Sequence, residues 1–305
     1  MHGFASVGEC MIELSGQNDT QWHMGFAGDT LNTAWYVRAL MQSDFAVDYI
    51  TAFGDDAFSN QQMAFLNENG IATDKSPIIK GARPGLYAIT LTGAERSFTY
   101  WRNDSAARRL AEDPAHLLQS LKTRKMIYFS GITLAIILPE HRQSFLEVIR
   151  QCRAEGAQIA FDPNFRPALW PDHNLARELI TQAMRSSDIA LPTLPDEQAL
   201  FGDADGQACA ARLTALGVKE IIVKDGTDPA IVQFEGKQVL VPSVKANAID
   251  TTGAGDSFNG GYLAARLKGA TAEEAAAQAH QVAARVVECR GALMPMQTAH
   301  DLFMR

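Results

Sequence analysis

The chain has 305 residues, 47% of them apolar, and a formal net charge of −8, enough apolar content for a sizeable buried core. With 35 Asp and Glu against 27 Lys and Arg, it lacks the basic face that duplex binding or an electrostatic membrane contact requires, so no nucleic-acid partner and no membrane are expected. Glu9 and Glu13 interrupt the first hydrophobic stretch, which argues against a secretion signal, and the longest charge-free apolar run, Met126 to Pro139, falls short of the ~20 residues of a membrane span.

Phe4 to Val7 reads as a first strand leading to Gly8. Trp22, His23 and Met24 precede a Gly-rich turn, after which Asp29 and Thr30 cap an apolar helix carrying Leu31, Ala34, Trp35, Val37 and Leu40. Gly28 and Asn32 therefore lie at a helix start, where capping and first-turn polarity explain Asp29 and Asn32 as well as ligand recognition does. Residues 47–52 form a strand and 57–69 a helix closed by Gly70, a βα unit. Two alternating runs, 86–91 and 97–101, joined by Thr92-Gly93-Ala94-Glu95-Arg96, read as a hairpin outside the βα rhythm, either an edge decoration or a separate flap. Tyr87, Tyr100 and Arg102 belong to these runs, where aromatic packing and a solvated Arg compete with recognition.

From Met126 the rhythm is regular. A strand at 126–129, followed by a loop, gives way to a helix at 139–155, a strand at 158–162, a helix at 173–185 and a strand at 188–191. This alternation argues for a parallel sheet with helices on both faces, whose ligands bind beyond the carboxyl ends of the strands. Asp162, Asn164 and Arg166 sit at one such end. Residues 192–202 make a turn and short helix, 207–216 a helix, 220–224 a strand, and 230–234 with 238–241 a second hairpin. The final helices, 257–268 and 272–289, end at Arg290-Gly291, and Pro295 is expected to prevent further helix. No repeat or linker marks a second domain. Cys10, Cys152, Cys209 and Cys289 form no Cys-x-x-Cys pair, and the seven His no His-x-x-x-His pattern; reduced thiols and a cytoplasmic compartment follow.

The stretch from Ala248 to Phe258 carries the chemistry. Gly253, Ala254 and Gly255 let the backbone turn its N–H groups toward one spot, and the helix that follows adds its positive end, a candidate phosphate cradle. Asp256 sits at its mouth. Capping explains that residue as readily as catalysis does, but Gly260 and Gly261 break helix propensity beside the cradle, which points to a site. A carboxylate there makes sense if it faces a hydroxyl that attacks phosphorus; with an ordinary pKa of about 4 it is expected to be ionised at neutral pH. No Gly-x-x-x-x-Gly-Lys-Ser/Thr element and no Gly-x-Gly-x-x-Gly after a strand is present, which excludes a P-loop enzyme and argues against a dinucleotide oxidoreductase.

Asp250-Thr-Thr-Gly-Ala-Gly-Asp-Ser-Phe258 resembles the C-terminal signature of the ribokinase-like (PfkB) sugar kinases, and Gly25-Phe-Ala-Gly-Asp-Thr-Leu-Asn32 their N-terminal one. Gly8 to Glu13, Tyr100-Trp101-Arg102 and Asp162-Pro-Asn-Phe-Arg166 resemble the 2-keto-3-deoxygluconate (KDG) kinases within that family. The resemblance runs end to end. It implies an α/β three-layer sandwich with a central, mostly parallel sheet, a single domain over 1–305, and a small discontinuous β lid from segments near 10–25 and 84–103. It also implies phosphorylation of the terminal hydroxyl of KDG by ATP, with another sugar kinase (fructose or ribose) or a non-catalytic regulator as alternatives.

On that resemblance Asp256 is the base within an anion hole of Gly253, Ala254 and Gly255, and Gly28, Asp29, Asn32, Tyr87 and Tyr100 meet the sugar. Arg166 with Arg102 would hold its carboxylate, which an acidic protein needs local guanidinium groups to do. Nucleotide contacts are implied at Asn164, Thr193, Lys224, Gly226, Gly253, Gly255 and His280, although the turn at Lys224 to Thr227 is equally a plain turn. Mg²⁺ is expected with ATP. The family's Asn-x-x-Glu motif is altered, Thr193 standing in the Asn position, which leaves Asp196 and Glu197 as candidate ligands. A monovalent cation and a homo-oligomer paired through the lid complete the expectations.

Overall fold

Side chains along Met126–Ser130 alternate between two cores. Ile127 and Phe129 join a cluster with Val7, Phe161, Phe145 and Ile180, whereas Met126 and Tyr128 join one with Phe4, Ala160, Tyr36 and Tyr262. A strand buried on both faces needs helices on both faces, and three layers result. The computed structural model describes residues 2–16, 20–92 and 95–302. Gly93-Ala94, the tip expected for the first hairpin, and residues 17–19 of the first lid segment lie outside them.

Fourteen strands are described: β1 (Phe4–Val7), β2 (Met11–Gly16), β3 (Trp22–Ala27), β4 (Val47–Ile50), β5 (Phe53–Gly54), β6 (Ile78–Ile79), β7 (Leu86–Thr92), β8 (Glu95–Trp101), β9 (Met126–Ser130), β10 (Gln158–Asp162), β11 (Ile189–Ala190), β12 (Glu220–Val223), β13 (Ala230–Phe234) and β14 (Lys237–Val241). The main sheet runs β14-β13-β12-β11-β10-β9-β1-β4, parallel from β4 to β12 and antiparallel at β13 and β14. The chain leaves β1 toward β4 and returns on the other side at β9, a reversal that opens a crevice at the strand ends. A second sheet, β3-β2-β7-β8, is inserted after β1 and before β9. Its register sets Glu13, Tyr87 and Tyr100 side by side on one face.

The helices are α1 (Asp29–Leu40), α2 (Ala57–Glu68), α3 (Pro114–Leu121), α4 (Gly131–Ile136), α5 (Arg142–Ala154), α6 (His173–Arg185), α7 (Leu194–Phe201), α8 (Gly206–Ala215), α9 (Ala254–Leu267), α10 (Ala272–Val286) and α11 (Met296–Asp301). No described helix is long and apolar enough to cross a membrane. Several boundaries correct the sequence reading. Residues 131–136 are helical rather than a loop, because Ser130 and Thr133 form a reciprocal capping box. Pro295 starts α11 instead of ending helix, the one terminus that tolerates proline. Asp113 caps α3 with Pro114 in its first turn, a start signal the sequence carried unread. Gly28, not Asp29, is the N-cap of α1, and α9 begins at Ala254, three residues before the expected start.

Gly260 and Gly261 are packing residues, contrary to the reading of them as site markers. A Cβ on Gly260 would fall 2.6 Å from Tyr36 Cβ and 2.8 Å from the Thr33 carbonyl oxygen, and one on Gly261 3.1 Å from Ala279 Cα. They let α1 and α10 press against α9, which brings the first turns of α1 and α9 together. Gly260→Ala is expected to cost about 1–3 kcal/mol of stability through overpacking, measured by urea denaturation; an unchanged midpoint would contradict this account.

Candidate active site

The carboxyl ends of β1, β9, β10, β11 and β12 deliver Glu9, Ser130, Asp162, Thr193 and Lys224 to one edge of the main sheet. Facing them are the N-termini of α1 and α9 and the Tyr87/Tyr100 face of the small sheet. Together these elements enclose a cavity of about 980 Å³, within the usual range for small-ligand sites.

The cradle is built by the loop before α9. Gly253 adopts φ +75° as N-cap, and a Cβ there would lie 2.8 Å from Ala292 Cβ, so only glycine makes the turn against the C-terminal segment. Asp250 fixes the loop from below: its carboxylate accepts from the Thr252 amide at 3.0 Å, the Thr252 hydroxyl at 2.7 Å and the Gly291 amide at 2.7 Å. The Ala254 amide donates to the Thr251 carbonyl at 3.2 Å, while the Ser257 amide closes the first helical turn on Gly253. The C-terminal segment is itself strapped to α1, where the Tyr36 hydroxyl donates to Ala292 O at 2.5 Å, the Met294 amide donates to that hydroxyl at 3.0 Å, and Trp35 Nε1 donates to Met294 O at 2.8 Å.

Asp256 lies within the first turn of α9 and is not its cap. Its Oδ2 accepts from Asn32 Nδ2 at 2.8 Å, and its carbonyl from the Thr33 hydroxyl at 3.2 Å. Burial, and then the charge of Asp29, push its carboxyl up to about 7 against the Asn32 hydrogen bond; Asp162 adds to the rise and Lys224 opposes it. This corrects the expectation of an ordinary pKa near 4. A base works deprotonated, so kcat/KM should fall as pH drops through this value, with an acid limb near neutrality. Asp29→Asn removes the like charge and should move the limb to lower pH; Asn32→Ala should move it higher. A pH–rate profile with the limb fixed in both variants would exclude Asp256 as its source.

Asp29 accepts from Asn164 Nδ2 at 2.9 Å, and burial raises its pKa against hydrogen bonds from Ser130 and Asn164. Asn164 holds φ +35°, sparsely populated for a non-glycine residue, and its amide donates to Asp162 Oδ1 at 2.9 Å. Lys224 Nζ donates to Asp162 Oδ2 at 2.8 Å and to Asn259 Oδ1 at 2.9 Å, and Asn259 Nδ2 bonds Asp162 Oδ2 at 2.6 Å. A Cβ on Gly255 would sit 3.8 Å from Lys224 Nζ, so the ammonium borders the cradle. Arg102 is buried and paired with Glu9, contrary to the solvated alternative. Arg166 is half-exposed, 3.3 Å from Asp196. The Tyr87 hydroxyl donates to Glu13, so that residue lends the cavity its ring.

Gly28, Asp29, Asn32, Tyr87, Tyr100, Arg102, Asn164, Arg166, Thr193, Lys224, Gly253, Ala254, Gly255 and Asp256 all line this single cavity. Four other candidates do not. Gly226 sits in the turn beyond β12 with φ +54°. His280 is buried on α10 with its ring 5.0 Å edge-on from Phe258. Glu197 is wholly buried beside Arg212, which also holds Asp203, so a guanidinium already fills that acidic group. Asp196 lies outside the lining and faces Arg166. The sequence reading assigned no role to Glu9, Asp250 or Asn259, whose partners are set by the fold.

Comparison with known proteins shows the family. The family model described as "pfkB family carbohydrate kinase" matches residues 1–299. The chain is 42% identical to a 2-dehydro-3-deoxygluconokinase of Dickeya dadantii (96% of this chain, 97% of the relative) and 41% identical to one of Escherichia coli K12 (the same coverage). Among solved structures it is similar to a PfkB protein from Polaromonas sp. JS666, with TM-score 0.87, 23% identity and full coverage of both chains. It is likewise similar to a fructokinase with bound ATP from Xylella fastidiosa, with TM-score 0.84 and 23% identity over 98% of this chain and 97% of the other. With a family model over residues 1–299 and relatives 41–42% identical over 96% of its length, the chain belongs to the pfkB family of carbohydrate kinases.

Proposed function

We propose that the chain transfers the γ-phosphoryl group of ATP to the terminal (6-) hydroxyl of 2-keto-3-deoxygluconate, giving the 6-phosphate and ADP. The observation that carries this reading is the convergence, on one cavity, of Asp256 at the cradle, Lys224 beside it, and two guanidinium groups, Arg102 and Arg166. Relatives named 2-dehydro-3-deoxygluconokinase at 36–42% identity over 96% of the chain support it.

With the Ala254 amide bonded to Thr251, the amides of Gly253 and Gly255 and the positive end of α9 are what the turn offers to phosphate oxygens. Lys224 adds a cation where Asp29, Asp162 and Asp256 would otherwise repel them. The sugar's alcohol oxygen forms a bond to the γ-phosphorus as the bond to the ADP oxygen breaks, and its proton passes to Asp256 Oδ. A pKa raised toward neutrality suits that acceptor. Mg²⁺ accompanying the triphosphate would supply further charge neutralisation, and with Glu197 paired to Arg212 it would be held mainly through phosphate oxygens and water. Thr193 and Asn164 border the nucleotide side, while Gly28, Asn32, Tyr87 and Tyr100 surround the sugar.

A carboxylate on the substrate explains why an acidic protein sets guanidinium groups into this wall. Wild type assayed for ADP release with Mg-ATP should show its highest kcat/KM on KDG among KDG, fructose and ribose. Arg166→Ala should raise KM for KDG roughly 10- to 100-fold, the worth of a charge-assisted hydrogen bond, and shift a neutral sugar less than about threefold. Equal losses on both, or a wild-type preference for a neutral sugar, would refute the assignment.

A further inference from the structure

We propose that Glu9 is a positioning residue that determines acid specificity, holding the Arg102 guanidinium so that an unpaired edge is presented to the substrate's carboxylate. The inference rests on the sugar-acid reading above. Glu9 lies two residues beyond β1, where the chain leaves the main sheet for the small one, and is 2% exposed. One carboxylate oxygen accepts from Arg102 Nη2, the other from the Ser105 hydroxyl at 2.5 Å. Both partners stand just past β8, where the chain comes back from the small sheet.

The slot is built to measure. A Cβ on Gly85 would fall 2.7 Å from Glu9 Oε1, and one on Gly28 would fall 2.2 Å from the Glu9 carbonyl oxygen. A side chain at position 85 would displace the carboxylate from this place, and one at position 28 would collide with the Glu9 backbone. Arg102 is 8% exposed and lines the cavity, with its guanidinium carbon 5.8 Å from the centre of the Tyr100 ring. Its Nε is buried and has no hydrogen-bond partner among the described residues. Burial closes Nε to a ligand and Glu9 holds Nη2, which leaves Nη1 as the guanidinium group that can meet an acceptor in the cavity.

Glu9 contributes in two ways. It compensates a cation that burial would otherwise make unfavourable. It also occupies the Nη2 side of a planar fork, fixing which edge remains for a second carboxylate. Recognition is then directional rather than a matter of local positive charge.

A double-mutant cycle on KDG with saturating Mg-ATP tests this. Glu9→Gln should raise KM at least tenfold with kcat within threefold of wild type, and in an Arg102→Met background the same change should move KM less than twofold. Ser105→Ala, which removes only the second anchor, should raise KM about threefold, again only when Arg102 is present. It decides the matter if Glu9→Gln fails to give a wild-type melting curve. Equal KM factors in both backgrounds, or kcat falling as much as KM rises, overturn the proposal. A wild type that ignores the acid overturns the substrate reading and this inference together, whereas additive variants of an enzyme that uses the acid overturn the inference alone.

Discussion

Asp256→Asn is expected to lower kcat by roughly 10²- to 10⁴-fold, the usual worth of a general base, with KM and fold retained. The substitution is isosteric. The amide oxygen can still accept from Asn32 Nδ2, and the Thr33 hydroxyl bonds the backbone carbonyl, which is untouched. What disappears is the capacity to take a proton from the alcohol as its oxygen closes on phosphorus. Stability should hold or rise, because Asp29 and Asp162 both push against the Asp256 charge and an amide relieves them. Steady-state ADP release and a thermal melt measure the two effects. A loss smaller than tenfold would mean that another group accepts the proton.

Lys224→Met ranks second, with an expected fall in kcat of about 10²- to 10³-fold, comparable to deleting one preorganised electrostatic donor. Asp29, Asp162 and Asp256 share the wall, and the ammonium between Asp162 and Asn259 is the cation at the cradle's edge. Here the fold suffers too. Removing one partner of a buried ion pair leaves Asp162 uncompensated, a loss of about 3–5 kcal/mol. Adding Asp162→Asn should restore most of the stability and none of the rate, which separates the structural share from the catalytic one. Because Lys224 holds down the Asp256 pKa, the acid limb of the single variant should also move to higher pH. Recovery of rate together with stability in the double variant would reduce Lys224 to a structural role.

Local chemistry made much of this molecule readable in advance. The three-layer α/β architecture followed from alternating apolar periods, because buried parallel strands and amphipathic helices write different spacings. The tight turn before α9 is legible in Gly253, Ala254 and Gly255 standing before a helical pattern. What could not be read depended on distant neighbours. Glu9 meets Arg102 across 93 residues and Lys224 meets Asp162 across 62, and neither pair has a spacing to betray it. The Asp256 pKa departs from the ordinary value for the same reason, since burial and then Asp29, on another helix, raise it. Gly260 and Gly261 were seen as exceptional, but the cause is Tyr36 and Ala279 pressing close, not a ligand. Gly226 and His280 came from family likeness, and neither reaches the cavity wall. Glu197 is a candidate ligand through the altered Asn-x-x-Glu stretch, whereas in the fold Arg212 pairs with it.

The strap from Tyr36 to Ala292 and Met294 has a consequence for how the chain acquires activity. Its ends are 256 residues apart, and the Asn32 to Asp256 contact spans 224, so both closures carry a large loop entropy and belong late on the folding route. Intermediates with a well-formed central sheet would still lack a finished anion pocket. Nucleotide added to a refolding chain therefore accelerates nothing early, and only draws the last docking step toward completion by mass action.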